Sequence, residues 1–519
     1  MRMLVIAAAG ALLCNCSSNP SPSSQHATGG NGGSTQSGQG TGGSQQATAG
    51  TGGSTRASGG AGGVSAGGSG GSCNVSGGTS GSSAGSGAGG SGNGGSGGTG
   101  GRTTGGAGGT TPMTGTGGSG AGGAGGAGNG GTGGSTQSAG GAAGSLSTND
   151  PNVAALIVDS GPNNIGYFNG GFVSVTLCEP GTNNCQTVDH ILVDTGSIGL
   201  RVLESEVTLK LAAATGSAGK SLAECSPFVS GTSWGPVRLA DVKLGGETAK
   251  NLRIQMVGEA TYTLPSDCSG TPINDMQTLG SKGIIGVGLY VEDCGNACTK
   301  QTTNPGVYYE CTSAKTGGCS SAVVPLANQI TNPIAGFPTD NNGSFIQLPS
   351  IPASGAPSVS GFLVFGIGTQ ANNGLGSAKV IPVDATGMAS TTFPTGGTKY
   401  KSVIDSGSNG LYFLSSSVTK LPLCSGSDFY CPKTTTDFNA SILSKDGSAV
   451  AVTFSVADAS QFSADDSAFN NIGGQMSGYQ TDPGIPPFDW GLPFYYGRTV
   501  FTALEAHDTP SGSGPYLAF

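Results

Sequence analysis

The chain has 519 residues, 100 of them glycine, and a formal net charge of −9 at pH 7. No acidic residue precedes Asp150, and three of the 20 basic residues do, which leaves 17 basic against 29 acidic residues from Asp150 onward. An acidic protein of this kind repels phosphate groups, so the composition argues against nucleic acid and anionic membrane surfaces as partners.

The first 16 residues have the pattern of an export signal. Arg2 is followed by an apolar run from Leu4 to Leu13, which is too short to span a bilayer as a helix. Cys14 and Cys16 come directly afterwards, where a bacterial lipoprotein carries its lipidated cysteine. We therefore expect residues 1–16 to be a lipoprotein-type signal, with Cys16 as the lipidation candidate ahead of Cys14, and a plain secretory signal as the alternative.

Residues 17–150 consist almost entirely of Gly, Ser, Thr, Ala and Gln. Such a segment has too little apolar surface to offset the entropy cost of ordering, so it is predicted to be a disordered linker. The protein is then expected to be exported, either as a lipoprotein of a bacterial outer membrane or cell surface or as a secreted protein. A lipid anchor at the N-terminus would be its only contact with a membrane.

From Asn152 the composition changes to Val, Ile, Leu, Phe and Tyr. Roughly 370 residues remain, enough for two lobes with separate cores. Short apolar or alternating runs between turn residues predict a mainly β protein. The predicted strands are Gly171–Leu177, Val188–Val193, Leu239–Leu244, Leu252–Val257, Gly361–Phe365 and Val450–Val456. Only Leu203–Ala214 and Ser415–Leu421 have a helical pattern.

An internal near-repeat is the most informative feature of the sequence. The segment from Ile191 to Leu200 recurs as Ser402 to Leu411, and each copy runs from apolar residues into a Gly turn with an aspartate at the bend. Asp194 and Asp405 are 211 positions apart. A duplicated lobe would bring these two carboxylates together at an internal twofold axis. Two adjacent carboxylates cannot both ionise easily, so one can act as a general base while the other stays protonated.

In these two motifs the sequence resembles the pepsin family of aspartic proteases. Each aspartate follows two apolar residues and begins an Asp-Thr-Gly-Ser or Asp-Ser-Gly-Ser run. The resemblance covers roughly residues 165 to 519 and includes the segments expected to thread beneath the aspartates and those expected to form the second lobe. These segments are Lys282–Leu289, Gly361–Gly366, Val380–Val383, Trp490–Phe494, Arg498–Phe501 and Tyr516–Phe519.

The resemblance implies a bilobal, mainly β, pepsin-like acid protease fold with an active-site cleft between two related β-barrel lobes. The N-terminal lobe would comprise residues 151–360 and carry Asp194, and the C-terminal lobe residues 361–519 with Asp405. The implied activity is that of an aspartic endopeptidase in which the two aspartates activate water against a peptide bond. A protein or peptide would be the substrate, no cofactor or metal would be needed, and the protein would be monomeric.

The resemblance also implies supporting roles for the three residues after each aspartate. The first would hydrogen-bond across the dyad, the glycine would let backbone N–H groups approach the carboxylate, and the serine would bond its outer oxygen. These residues are Thr195, Gly196 and Ser197 in the first copy and Ser406, Gly407 and Ser408 in the second.

The flap is where the sequence departs from the family pattern. Family members usually have a tyrosine over the cleft, whereas the corresponding stretch here has Phe228 in its likely place. Trp234, in the same predicted hairpin, could supply an indole N–H instead of the missing hydroxyl. The alternative for both residues is that they only pack the hairpin. The cysteine-rich segment from Asp293 to Cys319 has no counterpart in the family pattern.

Ten cysteines lie in the part that is expected to fold. In an exported chain an even number of cysteines indicates disulfides. Nested pairing of the middle four, or a zinc site at Cys294, Cys298 and Cys311, are the alternatives. The sequence-local pairs are Cys178 with Cys185, Cys225 with Cys268, Cys294 with Cys298, Cys311 with Cys319, and Cys424 with Cys431.

Two other functions fit parts of the sequence. A pepsin-like fold could serve as a catalytically silent binding module, or the chain could be a surface adhesion protein on a Gly-rich stalk. The aspartates with both following serines favour the enzyme, because a pure binding module has no need of that set. His190, four residues before Asp194, is expected to be a strand-surface residue rather than a catalyst.

Overall fold

A computed structural model describes residues 146–216, 218–312, 318–476 and 486–519. The predicted export signal, Cys16 and nearly all of the predicted linker lie outside the described residues. The described part of the chain is mainly β. None of its helices is long and apolar enough to cross a membrane.

Within the described ranges, twelve strands lie before residue 350 and thirteen follow it. The first twelve are β1 (Val153–Val158), β2 (Gly171–Cys178), β3 (Cys185–Asp194), β4 (Ile198–Leu203), β5 (Ala212–Ala213), β6 (Ser221–Phe228), β7 (Gly231–Leu244), β8 (Glu247–Val257), β9 (Gly283–Val287), β10 (Tyr308–Cys311), β11 (Cys319–Ser321) and β12 (Gly343–Leu348). The others are β13 (Val359–Phe365), β14 (Val380–Pro382), β15 (Ala389–Phe393), β16 (Thr398–Ile404), β17 (Leu411–Phe413), β18 (Thr436–Leu443), β19 (Ala449–Val456), β20 (Gly473–Gly474), β21 (Phe488–Trp490), β22 (Arg498–Ala503), β23 (Asp508–Thr509), β24 (Gly512–Ser513) and β25 (Tyr516–Ala518).

Helices in the described residues are short. The two α-helices are α1 (Met276–Leu279) and α2 (Ser416–Thr419). The 3-10 helices are Pro162–Asn164, Glu204–Glu206, Gly295–Thr299, Leu326–Asn328, Pro333–Gly336, Ala459–Gln461 and Leu492–Tyr495.

All six strands predicted from the sequence are present, although β7 and β8 are longer than predicted. The helical prediction for Leu203–Ala214 is wrong. That segment holds only the 3-10 turn Glu204–Glu206 and the two-residue strand β5, which pairs with β7. Its β-branched Val207 and Thr208 and its alternating apolar residues suit extended backbone.

The larger sheet has sixteen strands and joins the two halves of the chain. Its order is β11-β10-β6-β7-β8-β4-β9-β3-β2-β1-β13-β12-β22-β25-β14, with β5 paired to β7. Near its middle, β1 pairs antiparallel with β13, and β12 pairs with both β13 and β22. Strands from both predicted lobes therefore share one continuous sheet.

The second sheet has seven strands in the order β19-β18-β15-β16-β21-β17-β20. Its interior is aromatic, with Phe413 within 6 Å, centroid to centroid, of the rings of Phe393, Phe438, Phe454 and Phe488. Three of these pairs are edge-to-face and the pair with Phe488 is stacked, and such pairs add to the stabilisation from buried area. Within this sheet β16, the strand that leads to Asp405, is paired with β15 on one side and β21 on the other.

The two sheets contain the same three-strand arrangement around each aspartate. β9 lies between β3 and β4, parallel to the first and antiparallel to the second. β21 lies between β16 and β17 in the same two senses. Leu200 faces Ile285 across one pair and Leu411 faces Trp490 across the other. The sequence repeat is therefore also a structural repeat, in which β9 and β21 are equivalent.

Five disulfides occur in the described residues, and all join sequence-local cysteines. The nested pairing is absent. The bonds are Cys178–Cys185, Cys225–Cys268, Cys294–Cys298, Cys311–Cys319 and Cys424–Cys431.

Candidate active site

Asp194 and Asp405 occupy equivalent places in the structural repeat. Asp194 is the last residue of β3, and Asp405 follows the last residue of β16. Both residues are fully buried. Their carboxyl groups lie close enough for each to shift the pKa of the other. The structure therefore brings together the two aspartates of the sequence repeat, although they come from different sheets.

The two aspartate loops are tied together by reciprocal hydrogen bonds. The backbone N–H of Thr195 donates to Ser406 Oγ (3.1 Å), and the N–H of Ser406 donates to Thr195 Oγ1 (3.0 Å). Each hydroxyl then donates to a carbonyl of the opposite strand: Thr195 Oγ1 to Ile404 O (3.2 Å) and Ser406 Oγ to Val193 O (2.7 Å). Four bonds between buried groups hold the relative position of the two carboxyls.

Backbone amides donate to one oxygen of each carboxyl. The N–H of Gly196 bonds Asp194 Oδ1 (2.8 Å), and that of Gly407 bonds Asp405 Oδ1 (2.9 Å). A hydrogen bond to the charged form of a carboxyl favours ionisation. These two bonds therefore work against the effect of burial, which favours the neutral acid.

The two serines are not equivalent in their contacts. Ser408 Oγ lies 3.0 Å from Asp405 Oδ2 in hydrogen-bonding geometry. Ser197 Oγ and Asp194 Oδ2 have no hydrogen bond of good geometry within the described part of the chain. The Ser197 hydroxyl is nevertheless close enough to lower the pKa of Asp194. The second half of the site is thus more fully hydrogen-bonded than the first.

The two carboxyls differ electrostatically. Burial raises the pKa of Asp405 well above its ordinary value, and the neighbouring carboxyls of Asp194 and Asp489 raise it further when they are ionised. Burial also raises the pKa of Asp194, but the proximity of Asp405 and the positive charge of Arg201 oppose that effect. The pKa of Asp405 is therefore raised more strongly than that of Asp194, and the two carboxyls are not equivalent.

Asp489, which the sequence analysis did not select, is a third buried carboxyl at the site. It lies on β21 and is 5% exposed. Its Oδ2 is 2.5 Å from Ser408 Oγ, the same hydroxyl that contacts Asp405. Burial raises the pKa of Asp489 to about 8, with a further contribution from the charge of Asp194. The site accordingly contains three carboxyls rather than two.

Two tyrosines also lie close to the pair and were not selected from the sequence. Burial and the charges of Asp194 and Asp405 raise the pKa of Tyr167, and its hydroxyl has no hydrogen-bond partner among the described residues. The Tyr495 hydroxyl lies 2.9 Å from Thr195 Oγ1. Neither tyrosine belongs to the repeated motif, so no sequence pattern pointed to them.

The hairpin predicted as a flap is present, with β6 and β7 joined at an exposed Val229. The Trp234 indole N–H donates to the carbonyl of Tyr262 (3.3 Å), and its ring meets Tyr309 edge to face. Phe228 is buried in an apolar cluster and lies under the Arg201 guanidinium. Both flap candidates therefore have packing partners among residues 201–309.

The described residues offer one cluster with metal-ligand chemistry, namely Cys424, Cys431 and Asp458. The two sulfurs are joined in a disulfide, which removes their capacity as thiolate ligands. The cysteines considered for zinc, Cys294 and Cys298, are likewise joined to each other. This donor chemistry does not fit a zinc site.

Fold and site together define a mainly β protein with a coupled, buried pair of carboxyls at its internal repeat. A family described as protein of unknown function DUF3443 matches residues 148–519, and the chain belongs to this family. No curated protein matches the sequence. Among solved structures, the chain is similar to the crystal structure of an aspartic proteinase from Irpex lacteus, with 15% identity, a TM-score of 0.43, and coverage of 70% of this chain and 96% of that chain.

Proposed function

We propose that this protein is an aspartic endopeptidase with a bilobal pepsin-like fold, in which Asp194 and Asp405 form the catalytic dyad. One observation carries the proposal: two fully buried carboxyls interact directly, and the reciprocal bonds of Thr195 and Ser406 fix them in place. Burying two acids side by side is costly, and a fold gains nothing structural from it. Such pairs are suited to chemistry in which one proton is shared.

The asymmetry of the pair gives each carboxyl a role. Asp194, whose pKa is raised less than that of Asp405, is the ionised base that takes a proton from water, and the water oxygen then bonds to the scissile carbonyl carbon. Asp405, beside Asp489, is the acid that donates its proton to the carbonyl oxygen. The result is a tetrahedral diol. When its C–N bond breaks, Asp194 gives its proton to the leaving nitrogen and a diol hydroxyl returns one to Asp405.

The burial of the site limits the access of a peptide substrate to the two carboxyls. Both aspartates are fully buried, and the Tyr167 side chain beside them is nearly so. A peptide therefore requires an opening movement before it reaches the carboxyls. Such closure is a common means of excluding water from the reaction.

The dyad assignment is tested by Asp194→Asn and Asp405→Asn. Each variant should abolish hydrolysis of an unfolded protein substrate at acid pH while the melting curve stays cooperative. Asp437→Asn, at an exposed strand position, is the matched control and should keep full activity. A chelator should have no effect, and a transition-state-mimicking inhibitor of aspartic proteases should block the wild type. Near-normal activity of either dyad variant would show that the assignment is wrong.

The pH dependence follows from the two roles. Activity should be lost at low pH when Asp194 is protonated and at higher pH when Asp405 loses its proton, which gives a bell-shaped profile of kcat/KM. Burial raises both pKa values above that of an ordinary aspartate, and the amide donors at Gly196 and Gly407 oppose this effect, so the optimum should lie above pH 3.8 and below neutral pH. An optimum well above neutral pH would contradict these roles.

The proposal also includes the export of the chain and its attachment to a bacterial surface. Residues 1–16 would export the chain, Cys16 would carry a lipid, and the Gly-rich linker would hold the catalytic part away from a bacterial surface. The substrate would be a protein or peptide, and no cofactor takes part in the steps above. No feature of the described residues favours a silent binding module or an adhesion protein over the enzyme.

A further inference from the structure

The Ser408 hydroxyl lies between two carboxyl groups. Its oxygen is 3.0 Å from Asp405 Oδ2 and 2.5 Å from Asp489 Oδ2. Both distances are those of O–H···O hydrogen bonds. A serine hydroxyl has one proton to donate, and an ionised carboxylate has none. Two hydrogen bonds at one hydroxyl therefore require that one of the two carboxyls is protonated and donates to Ser408.

The position of Asp489 is unusual within the structural repeat. β21 and β9 are equivalent strands, and Ile284 on β9 occupies the position that Asp489 occupies on β21. Ile284 pairs with Arg201 on β4, just as Asp489 pairs with Tyr412 on β17. Ile284 is buried in an apolar cluster. One half of the repeat thus has an aliphatic side chain where the other half has an acid, so the strand does not need a carboxyl there in order to fold.

The surroundings of Asp489 favour its neutral form. Its Oδ1 has no hydrogen-bond partner within the described ranges, and an ionised carboxylate with an unpaired buried oxygen is costly. The titratable groups that face it are Asp405 after β16, Asp194 at the end of β3, Tyr412 on β17 and Tyr495. These are all acids, so none of them can compensate a negative charge.

We propose that Asp489 is a positioning residue of the dyad, protonated in the active enzyme, which donates to Ser408 so that Ser408 donates to the outer oxygen of Asp405. This proposal rests on the proposed function. The opposite direction, with Asp405 donating to Ser408, would turn the dyad proton away from Asp194. A proton on Asp489 leaves the proton of Asp405 free for the exchange with Asp194 and with the substrate carbonyl.

The kinetics of two variants distinguish the hydrogen bond that Asp489 donates from the volume that its side chain fills. Asp489→Leu installs an aliphatic residue like the one in the equivalent strand, and it should lower kcat about tenfold with little change in KM, the size expected for one lost hydrogen bond. Asp489→Asn restores a neutral N–H donor and should recover most of that loss. Wild-type kinetics in Asp489→Leu, or no recovery in Asp489→Asn, would overturn the proposal.

The pH profile distinguishes a neutral from an ionised Asp489. A protonated Asp489 and an asparagine carry the same charge, so both limbs of the kcat/KM profile should stay in place in Asp489→Asn. An ionised Asp489 would raise the pKa of Asp405, and its removal would shift the basic limb to lower pH by about one unit. That shift would refute the proposed proton.

A spectroscopic measurement tests the proton without any activity assay. The wild-type minus Asp489→Asn infrared difference spectrum at pH 6 should contain the C=O band of a protonated carboxyl, and its absence would overturn the proposal. Asp437→Asn is the control, because an exposed carboxylate at this pH contributes no such band. An inactive wild type that shows the band would contradict the proposed protease function and leave the protonation of Asp489 intact.

Discussion

A substitution at Asp489 should make the protein less sensitive to rising pH. In the unfolded chain an aspartate ionises near pH 3.8, whereas burial raises the pKa of Asp489 in the folded protein to about 8. Between these two values the folded state holds a proton that the unfolded state has released. The free energy of unfolding therefore falls as pH rises through this window, by about 1.4 kcal/mol per pH unit for one proton.

The change in the free energy of unfolding that Asp489 should cause is large enough to measure. From pH 5 to pH 7 the folded protein should lose about 3 kcal/mol through this one group, against a total stability of about 5–15 kcal/mol for a domain. Asp489→Asn removes the titrating group and keeps the size of the side chain. The difference in stability between variant and wild type should thus shift by about 3 kcal/mol in favour of the variant over these two pH units, and it should become flat above pH 8.

Urea unfolding of the full chain with its disulfides intact, at pH 5, 6, 7 and 8, checks this prediction. The wild type and Asp489→Asn must be compared with each other, because other carboxyls contribute in both to the slope of unfolding free energy against pH. Asp437→Asn, which is exposed, should run parallel to the wild type. Parallel curves for Asp489→Asn and wild type would show that Asp489 is ionised in the folded state and would refute the reasoning.

Two further predictions concern buried polar groups. Tyr167→Phe removes a buried hydroxyl with no hydrogen-bond partner among the described residues, so the midpoint of thermal unfolding should stay the same or rise, and a clear fall would reveal a missed partner. Arg201→Met leaves Glu224 and Asp293 buried without their cation and should cost about 3–5 kcal/mol in urea unfolding. Lys379→Met, at an exposed ion pair, should cost less than about 1 kcal/mol, and equal losses in the two variants would contradict this view of the Arg201 cluster.

The repeat around the aspartates was predictable because its physical requirements are local. An apolar strand that ends in a Gly turn leaves a recognisable sequence, and two copies at a lobe's spacing predicted that Asp194 and Asp405 would meet. The strands β2 and β3 followed from alternation and turn residues in the same way. Four of the disulfides were predictable because cysteines four to eight residues apart can close short loops.

The third carboxyl escaped prediction because its role depends on tertiary packing. Asp489 stands in a short apolar segment, and nothing in that segment shows that Ser408 lies 2.5 Å away. A signal did exist. When the two threading segments are aligned, Asp489 and Ile284 occupy the same position. An ionisable residue where the other copy has an apolar one departs from the hydrophobic pattern, and such departures are expected at functional sites. Tyr167 left no such signal, because it has no counterpart in the motif.

Trp234 is a flap candidate from the sequence, and its contacts in the structure change what is expected of it. If the indole N–H served the substrate, Trp234→Phe would lower kcat about tenfold for a loss of 1.4 kcal/mol in transition-state binding and leave stability unchanged. The N–H instead donates to the Tyr262 carbonyl, and the ring packs on Tyr309. We therefore expect Trp234→Phe to cost about 1 kcal/mol of stability with nearly unchanged kinetics. Trp234→Ala should cost several times more, because it also removes the ring, and Phe228→Tyr should restore nothing. Steady-state kinetics and urea unfolding on the three variants distinguish a packing role from a flap role. A selective loss of kcat in Trp234→Phe would show that Trp234 acts on the substrate as a flap residue.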